Sequence, residues 1–455
     1  MIGGLLAVAL AACPAKAPAW GVHDEAALPR HAQIAQLVSD SRCRTYVLTR
    51  TPHAVLRLDA SGELTPEFAS AGALSLDVDA EQLVLDEAHD RLLTVSSVNG
   101  PESTEVLVHA WNLDGVPKRA FGKAGVARFE GKRLTPTASS TSGAARAVVF
   151  DDGALLVVLQ VASQLKDESA VYATRLTAEG AVEFPVITPS FVAGQMAGVT
   201  PQLERVGAGG AWFFTSSGSQ GFLARFDALA RLDEDVGQQG VAKCPSIAYA
   251  TALRADGDGV ILGGTAGGYR QILERRSGTG ALDPAFGIGG QIVFKADSHR
   301  LEHVRAFLRT GAGILSVFAS YDPASHASRT GIVAWGMDGR LDPAYGANGV
   351  RWIQKDGAVT EGTAVTVDPL GRILVAIDSG ASLIDSKMRS AVIRVEVPAP
   401  RPSPSVGRPP RASPRPTARP DEDIWEYTDE HGVTTYVNSK DAVPEAFRKK
   451  ARRSQ

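Results

Sequence analysis

A turn motif that recurs along the 455-residue chain constrains the fold more than any other feature. The copies are GELTPEFASAG from Gly62, GVPKRAFGKAG from Gly115, ARLDEDVGQQG from Ala230, GALDPAFGIGG from Gly280, GRLDPAYGANG from Gly339 and a weaker copy around Gly180. They recur about every 50 to 65 residues. A period of this length is typical of stacked or closed repeat architectures.

An apolar hairpin lies between successive turn motifs, with two strand-like segments around a polar turn. The clear versions begin at Glu81, Ala145, Ala250, Val304 and Thr363, and weaker versions lie near Gln33 and Val199. A third β-rich segment leads into each motif and a fourth follows it. The 46 glycines and 26 prolines also favour many short strands. Four strands in each of seven units predict an all-β fold, a seven-bladed β-propeller over residues 18–397.

The seventh unit lacks its fourth strand, because the third, Ala391 to Val397, is followed at once by Pro398. Trp20, Gly21 and Val22 repeat the aromatic-Gly end of the motif near the opposite terminus. We therefore predict that residues 18–24 pair with residues 391–397 and close the ring.

The motif and the hairpins resemble the delta-60 repeat family, whose consensus places a polar turn before G-x-L-D-x-x-F-G-x-x-G. The resemblance runs from about Gln33 to Val397 and is most specific in the copies at Gly280 and Gly339. The family has no established activity. The resemblance therefore implies a repeat fold and names no substrate.

The N-terminus predicts export. Residues Ile2 to Ala12 form an apolar stretch that is too short to span a bilayer, and Leu10 to Cys13 resemble the lipobox of bacterial lipoproteins. This predicts a signal peptide within residues 1–17, acylation of the Cys13 thiol and a lipid anchor in the cell envelope. No Lys or Arg precedes the apolar run, so an ordinary signal peptide cut near Ala17 or Ala19 stays the alternative.

Two segments follow the propeller. Residues 398–420 alternate proline with arginine and serine, which predicts an extended linker. Its arginines either attract an anionic envelope polymer or only keep the linker soluble. Residues 421–455 contain a predicted β-hairpin with a basic tail. It resembles a small envelope domain family of unknown function, through Trp425, Tyr427, Asp429, Gly432, Tyr436 and Asn438.

Two repeated positions invite a functional interpretation. Asp283 and Asp342 precede prolines in the motif, and their recurrence favours a role in turn formation over metal binding. The aromatic residues three positions later are predicted to plug the structure: Phe68, Phe121, Phe286 and Tyr345. A ring of third-strand arginines is predicted to form salt bridges, with anion binding as the alternative: Arg57, Arg175, Arg225, Arg275 and Arg394.

The remaining candidates for chemistry are sparse. His299 and His303 have the spacing of helical metal ligands, but a helix is not expected there. Cys43 and Cys244 belong to opposite units and are predicted to be separate thiols. No nucleophile elbow, P-loop or Cys-x-x-Cys motif occurs. We therefore assign no catalytic residue, metal or cofactor from the sequence.

These observations favour an exported envelope lipoprotein that acts as a non-catalytic scaffold for a protein or glycan partner. The net charge of −3 without a basic face argues against nucleic acid, and a monomer is expected. One alternative is a propeller enzyme of the lactonase, lyase or quinone-dependent dehydrogenase type. Its site would lie in the central channel, near residues 131–143, 188–201 or 297–302. Another is a structural spacer associated with the cell wall.

Overall fold

The structure is a computed structural model in which the chain forms two compact units, Met1–Pro398 and Ala399–Gln455. The residues that it describes are 13, 25–29, 32–100, 103–132, 141–163, 168–183, 191–193, 201–207, 209–217, 220–247, 249–266, 270–294, 296, 301–310, 313–323, 327–347, 349–353, 359–380, 389–395, 425–428, 434–437 and 448–453. Each unit is considered by itself below.

The larger unit consists of seven four-stranded antiparallel sheets, which are the blades of a β-propeller. The inner strands are β2 (Ile34–Ser39), β6 (Gln82–Asp86), β10 (Thr141–Val149), β14 (Gln202–Val206), β18 (Tyr249–Asp256), β22 (Leu301–Arg309) and β26 (Val359–Val367). The second strands are β3 (Thr45–Thr49), β7 (Arg91–Asn99), β11 (Leu155–Ser163), β15 (Gly210–Ser217), β19 (Gly259–Ala266), β23 (Ile314–Tyr321) and β27 (Ile373–Gly380).

The outer half of each blade contains the third and fourth strands. The third strands are β4 (Ala54–Leu58), β8 (Ser103–Trp111), β12 (Glu168–Leu176), β16 (Gln220–Asp227), β20 (Arg270–Arg276), β24 (Ser328–Trp335) and β28 (Arg389–Val395). The fourth strands are β5 (Ala73–Ser75), β9 (Val126–Lys132), β13 (Phe191–Ala193), β17 (Val241–Cys244), β21 (Gln291–Phe294), β25 (Val350–Ile353) and β1 (Glu25–Ala27). A short 3₁₀ helix, Glu87–His89, lies in the second blade.

The ring is closed by a strand from the N-terminus, as the sequence predicted. Strand β1 pairs antiparallel with β28, with Glu25 opposite Ile393 and Ala27 opposite Ala391. Trp20 and its neighbours, which we expected in this position, lie outside the described residues. Glu25 follows Trp20 by five residues, the same spacing that separates Phe286 from the first residue of β21.

The hydrophobic core lies between the blades. Seven clusters of buried side chains each join two neighbouring sheets, and the last one joins the seventh blade to the first. In that cluster, Ala364 and Leu374 pack with Leu37 and Val47. Successive inner strands are also in contact around the ring, including β26 with β2. The prediction of a seven-bladed propeller is therefore confirmed.

The smaller unit contains the predicted hairpin. Strand β29 (Trp425–Thr428) pairs antiparallel with β30 (Thr434–Val437), with Trp425 opposite Val437. A two-residue strand, β31 (Arg452–Arg453), pairs with the other edge of β29 and was not anticipated. Within the described part of the chain, no helix is long and apolar enough to cross a membrane.

Candidate functional site

The turn motif has the same geometry in all six copies. The backbone N–H of the turn residue donates to the carbonyl three positions earlier, as from Gly280 to Ser277 (2.9 Å). The turn residue has a positive φ, which explains why it is usually glycine. The φ angles are 84° at Gly62, 82° at Gly115, 80° at Gly180, 62° at Ala230, 79° at Gly280 and 82° at Gly339.

These turns link neighbouring blades. The N–H that follows the plug position of one motif donates to the carbonyl just before the turn residue of the next. The bonds run from Ala69 to Asp114 (2.9 Å), Gly122 to Glu179 (2.6 Å), Gly237 to Thr279 (3.0 Å) and Gly287 to Asp338 (2.8 Å). We call this repeated contact between the motifs of adjacent blades the interblade clasp.

The motif's side chains have the structural roles that the repetition indicated. Phe68, Phe121, Phe286 and Tyr345 are all buried. Asp283 Oδ1 accepts a hydrogen bond from the Ala285 N–H (3.0 Å), and Asp342 does the same for Ala344 (3.0 Å). These are Asx turns, which stabilise the loop. Among the described residues, no group of three His, Cys, Asp or Glu side chains could hold a metal ion.

The third-strand arginines belong to the interblade clasp. Arg57 donates to the Leu113 carbonyl (2.8 Å) and Arg275 to the Met337 carbonyl (2.9 Å), both in the next blade. Their guanidinium groups lie 5.0 Å from the Phe68 ring and 5.1 Å from the Phe286 ring.

Two more arginines of this ring bind carboxylates close to their own third strands. Arg175 pairs with Glu183 (2.7 Å) and with Asp152, and Arg225 pairs with Asp233. Arg57 and Arg275 also pair with carboxylates, those of Asp114 (2.8 Å) and Asp283 (2.9 Å). The salt-bridged interpretation is therefore confirmed for these four arginines. Arg394 lies on β28.

The cysteines require one correction. Cys43 is not a free thiol: it forms a disulfide with Cys13, and their α-carbons are 5.3 Å apart. Sequence spacing gave no sign of this pair, because it depends on where the N-terminal segment lies relative to the first blade. Cys244 is free and buried, and burial raises the pKa of its thiol to about 12.

The pair of histidines is not a helical metal site. His303 lies on strand β22, where its Nδ1 is 3.4 Å from the Thr265 hydroxyl, and His299 is outside the described residues. Burial lowers the pKa of His303, and the charge of Arg305 lowers it further. An enzyme site was expected near residues 131–143, 188–201 or 297–302. Of these regions, residues 133–140, 188–190, 194–200 and 297–300 also lie outside the described residues.

A cavity of about 1330 Å³ lies in the central channel, and all seven inner strands contribute residues to its lining. Because the blades share one topology, the starts of the inner strands surround one opening, which we call the N-terminal mouth. The charged residues that line the cavity are Arg50, Arg146, Arg254, Arg305, Arg309, Glu81, Glu204 and His303. Of these residues, only His303 was a candidate on sequence grounds.

One level of the channel differs between the two sides of the ring. We define the channel layer as one residue from each inner strand, namely the residue that lies opposite the same position of the second strand in every blade. It consists of Gln36, Gln82, Arg146, Gln202, Ala252, Ala306 and Ala364. Blades one to four thus have amides and a guanidinium at this position, whereas blades five to seven have alanines. Ala306 and Ala364 line the cavity, and Ala252 packs in the core between blades five and six.

Four inner strands contain β-bulges: β2 around Ala35, next to Gln36, and the three strands on the alanine side of the layer. In blades five to seven, the register shifts around Thr251, Arg305 and Thr363, each next to an alanine of the channel layer. These three residues line the cavity. A bulge adds one residue to a strand and redirects its side chain. The bulges therefore bring polar groups into the channel where the layer itself has none.

The glutamines of the first two blades are held by the neighbouring inner strand. Gln36 accepts a hydrogen bond from the Leu83 N–H (2.8 Å) and donates to the Leu83 carbonyl (3.0 Å). Gln82 makes the same pair of bonds with Ala147, at 2.6 and 3.0 Å. Both amides therefore join adjacent blades.

Most charges in the channel are also paired across blades. Arg254 lies 3.4 Å from Glu204, Arg309 lies 2.9 Å from Asp256, and Arg305 is bonded to Glu361. Arg146 lies 3.3 Å from Glu81. Burial raises the pKa of Glu204, and the charge of Arg254 opposes this effect.

One carboxylate near the N-terminal mouth has a shifted pKa. Asp378 lies opposite Glu361 on strand β27, and its Oδ1 accepts a hydrogen bond from the Ser390 hydroxyl. Burial raises the pKa of Asp378 to about 6, Ser390 opposes the increase, and the charge of Glu361 adds to it. Asp378, which is half-buried, therefore changes charge near pH 6.

Comparison with known proteins yields only similarities of fold. No protein-family profile and no characterised protein matches the sequence. A catalytically inactive virginiamycin B lyase from Staphylococcus aureus, solved with quinupristin, superposes with a TM-score of 0.45 at 10% identity over 82% of this chain and 98% of its own.

Two further solved structures resemble this chain to a comparable extent. The AfRom2 CNH domain has a TM-score of 0.42 at 11% identity, over 82% of this chain and 100% of its own. An ulvan lyase from a new family of polysaccharide lyases has a TM-score of 0.42 at 9% identity, over 83% and 95%. At these identities the similarity concerns the fold and transfers no activity.

Proposed function

We propose that this chain is an exported, non-catalytic β-propeller that binds a protein or glycan partner at its central channel. The pairing of charges in the channel supports this proposal. Glu81, Glu204 and Glu361 each have an arginine partner from a neighbouring blade. General acid–base catalysis needs a carboxyl or imidazole group free to exchange a proton with the substrate. Here the carboxylates instead join blades and shape a binding surface.

The channel can be tested directly with a variant that fills it. Thr366 lines the cavity from β26, and Thr366→Trp places a large side chain there while retaining a residue that favours strands. The whole chain would be screened against arrayed envelope glycans and against cross-linked envelope proteins. We expect the bound partner to be lost in Thr366→Trp and retained in the control Arg340→Ala, whose side chain is 88% exposed outside the channel. A partner retained by the filled channel, or released as a reaction product, would overturn the proposal.

We also propose that the protein acts in the cell envelope. The N-terminal apolar segment supports export, and so does the Cys13–Cys43 pair, because disulfides persist in oxidising compartments. Lipid attachment at Cys13 and the disulfide are mutually exclusive fates of one sulfur atom. An acylated Cys13 would leave Cys43 as a buried thiol.

The mature N-terminus distinguishes these two fates. With a lipid anchor, mass spectrometry detects acylated Cys13, Cys43→Ser stays in the membrane fraction, and Cys13→Ser leaves it. With a disulfide, the wild type carries no lipid mass and Cys43→Ser exposes a new free thiol at Cys13. Membrane partition that is unchanged in Cys13→Ser would overturn the anchor.

A further inference from the structure

Two arginines, Arg50 and Arg146, line the channel cavity, but only Arg146 is paired with a carboxylate. Arg50 follows strand β3, is exposed, and lines the same cavity as Arg146. In the part of the chain that the structure describes, the Arg50 guanidinium has no ion pair or hydrogen bond. Arg50 therefore differs from the other four arginines of the cavity, which are paired across blades.

The carboxylate of Glu81 is already saturated with donors. Its Oε2 accepts from the Ala145 N–H (2.7 Å) and from Arg146 (3.3 Å), and its Oε1 accepts from the N–H and the hydroxyl of Ser97. These bonds fix Glu81 between the second and third blades. Glu81 therefore offsets one guanidinium charge, and Arg50 adds an uncompensated positive charge at the N-terminal mouth.

Arg146 is held in position before any ligand arrives. Its side chain is only 10% exposed, and its Nη1 also donates to the Ala145 carbonyl (2.7 Å). Burial lowers the pKa of Arg146, Glu81 opposes this, and the charge of Arg50 lowers the pKa further. Because Arg50 and Arg146 line the same cavity, an oxyanion bound there would be attracted by both guanidinium groups. Buried guanidinium groups bind carboxylates through two parallel hydrogen bonds.

The other lining residues indicate which oxyanion fits. The described residues around the cavity include no Phe, Tyr or Trp on which a sugar ring could stack. The Gln36 and Gln82 amides are already bonded to neighbouring strands. Recognition at this mouth therefore depends on charge and on the guanidinium geometry, which suits a carboxylate on a flexible chain better than a ring.

We propose that the N-terminal mouth binds the carboxylates of an acidic polypeptide segment, with Arg50 and Arg146 as the donors. This inference rests on the proposed role of the channel as the binding site. It narrows the partner from any protein or glycan to a protein with exposed Asp or Glu side chains.

The test uses the whole chain and three probes: hexaglutamate, hexaglutamine and a hexamer of galacturonate. We expect hexaglutamate to bind the wild type and hexaglutamine not to bind. Removing one charge-assisted hydrogen bond costs about 1.5–3 kcal/mol, so Arg50→Ala should weaken hexaglutamate binding about tenfold or more. Arg50→Lys should recover part of the affinity, because it keeps the charge without the planar fork. Arg340→Ala is the matched control and should bind as the wild type does.

Each other outcome has a distinct meaning. Equal binding of hexaglutamate by the wild type and Arg50→Ala, or no binding by either, would overturn the inference. Binding of the galacturonate hexamer alone would overturn the polypeptide assignment. A natural partner that is displaced by Thr366→Trp but not by Arg50→Ala would retain the channel as a binding site and reject only this inference.

Discussion

The interblade clasp and the channel layer are built from the same repeated unit but differ in how far they repeat. In the clasp, Gly287 and Gly122 make the same bond to the next blade, and Arg57 and Arg275 reach equivalent carbonyls. In the channel layer, the same position is glutamine, arginine or alanine. Each clasp packs the same two surfaces of adjacent blades against each other, so its residues are similar in each repeat. The channel residues instead surround one central space. The clasp therefore contributes to stability, whereas the channel residues can vary from blade to blade.

A substitution that leaves a large cavity in the interblade clasp should show the difference in stability between the clasp and the channel most clearly. Phe286 is fully buried between the fifth and sixth blades, so Phe286→Ala should reduce the free energy of unfolding by about 3–5 kcal/mol. Thr366→Ala, in the channel, should cost less than about 1 kcal/mol. Urea unfolding of both variants would measure this. Equal losses would remove the distinction between a stabilising clasp and a variable channel.

A smaller effect is expected at the turn glycine. Gly280→Ala should destabilise the protein by about 2–3 kcal/mol, because its φ is positive and a Cβ there would lie 2.7 Å from the Ala242 Cβ. Gly257 also has a positive φ, but a Cβ there meets nothing within 4 Å, so Gly257→Ala should cost only about 1 kcal/mol.

The fourth copy of the motif shows that the backbone conformation alone can be tolerated, since Ala230 occupies the turn position with a φ of 62°. Comparing Gly280→Ala with Gly257→Ala by thermal unfolding therefore isolates the effect of the contact between Gly280 and the preceding blade. Identical losses at Gly280 and Gly257 would mean that the clasp packing contributes nothing beyond the backbone.

The smallest expected effect on stability is that of the Asp378 charge, which lies beside the channel. The pKa of Asp378 is raised to about 6, so the folded state favours its protonated form, and this contribution to stability disappears as the pH rises from about 4 through 6. Asp378→Asn should therefore stabilise the protein by about 1–2 kcal/mol above pH 7, after allowance for its partial exposure, and should change little below pH 4.

Asparagine can still accept the Ser390 hydrogen bond, and Arg305 with Glu361 stays as the neighbouring ion pair. Urea unfolding at pH 4 and pH 8 would detect the change. If the difference in stability between the wild type and Asp378→Asn did not depend on pH, Asp378 would have an ordinary pKa. Its charge would then be compensated, like the paired charges of the channel.

Much of the fold could be predicted from the sequence because a blade repeats. The hairpins predicted from Glu81, Ala145 and Ala250 correspond to the first two strands of the second, third and fifth blades. The closing strand was expected at residues 18–24 and observed at Glu25–Ala27. The residues of the channel were harder to predict. The sequence contained one indication that was missed, because Arg146 occupies a position where blades five to seven have alanine.

By itself, the sequence determined the number of blades, the strand order and the structural role of the turn motif. Each follows from local spacing and from a packing contact that is nearly the same at every repeat. Only the tertiary structure decided that Arg50 and Arg146 line one cavity, that Cys13 is bonded to Cys43, and that Arg305 enters the channel through a bulge. These contacts join residues from different blades or from a terminus. Their positions depend on the closure of the ring, which no single repeat encodes.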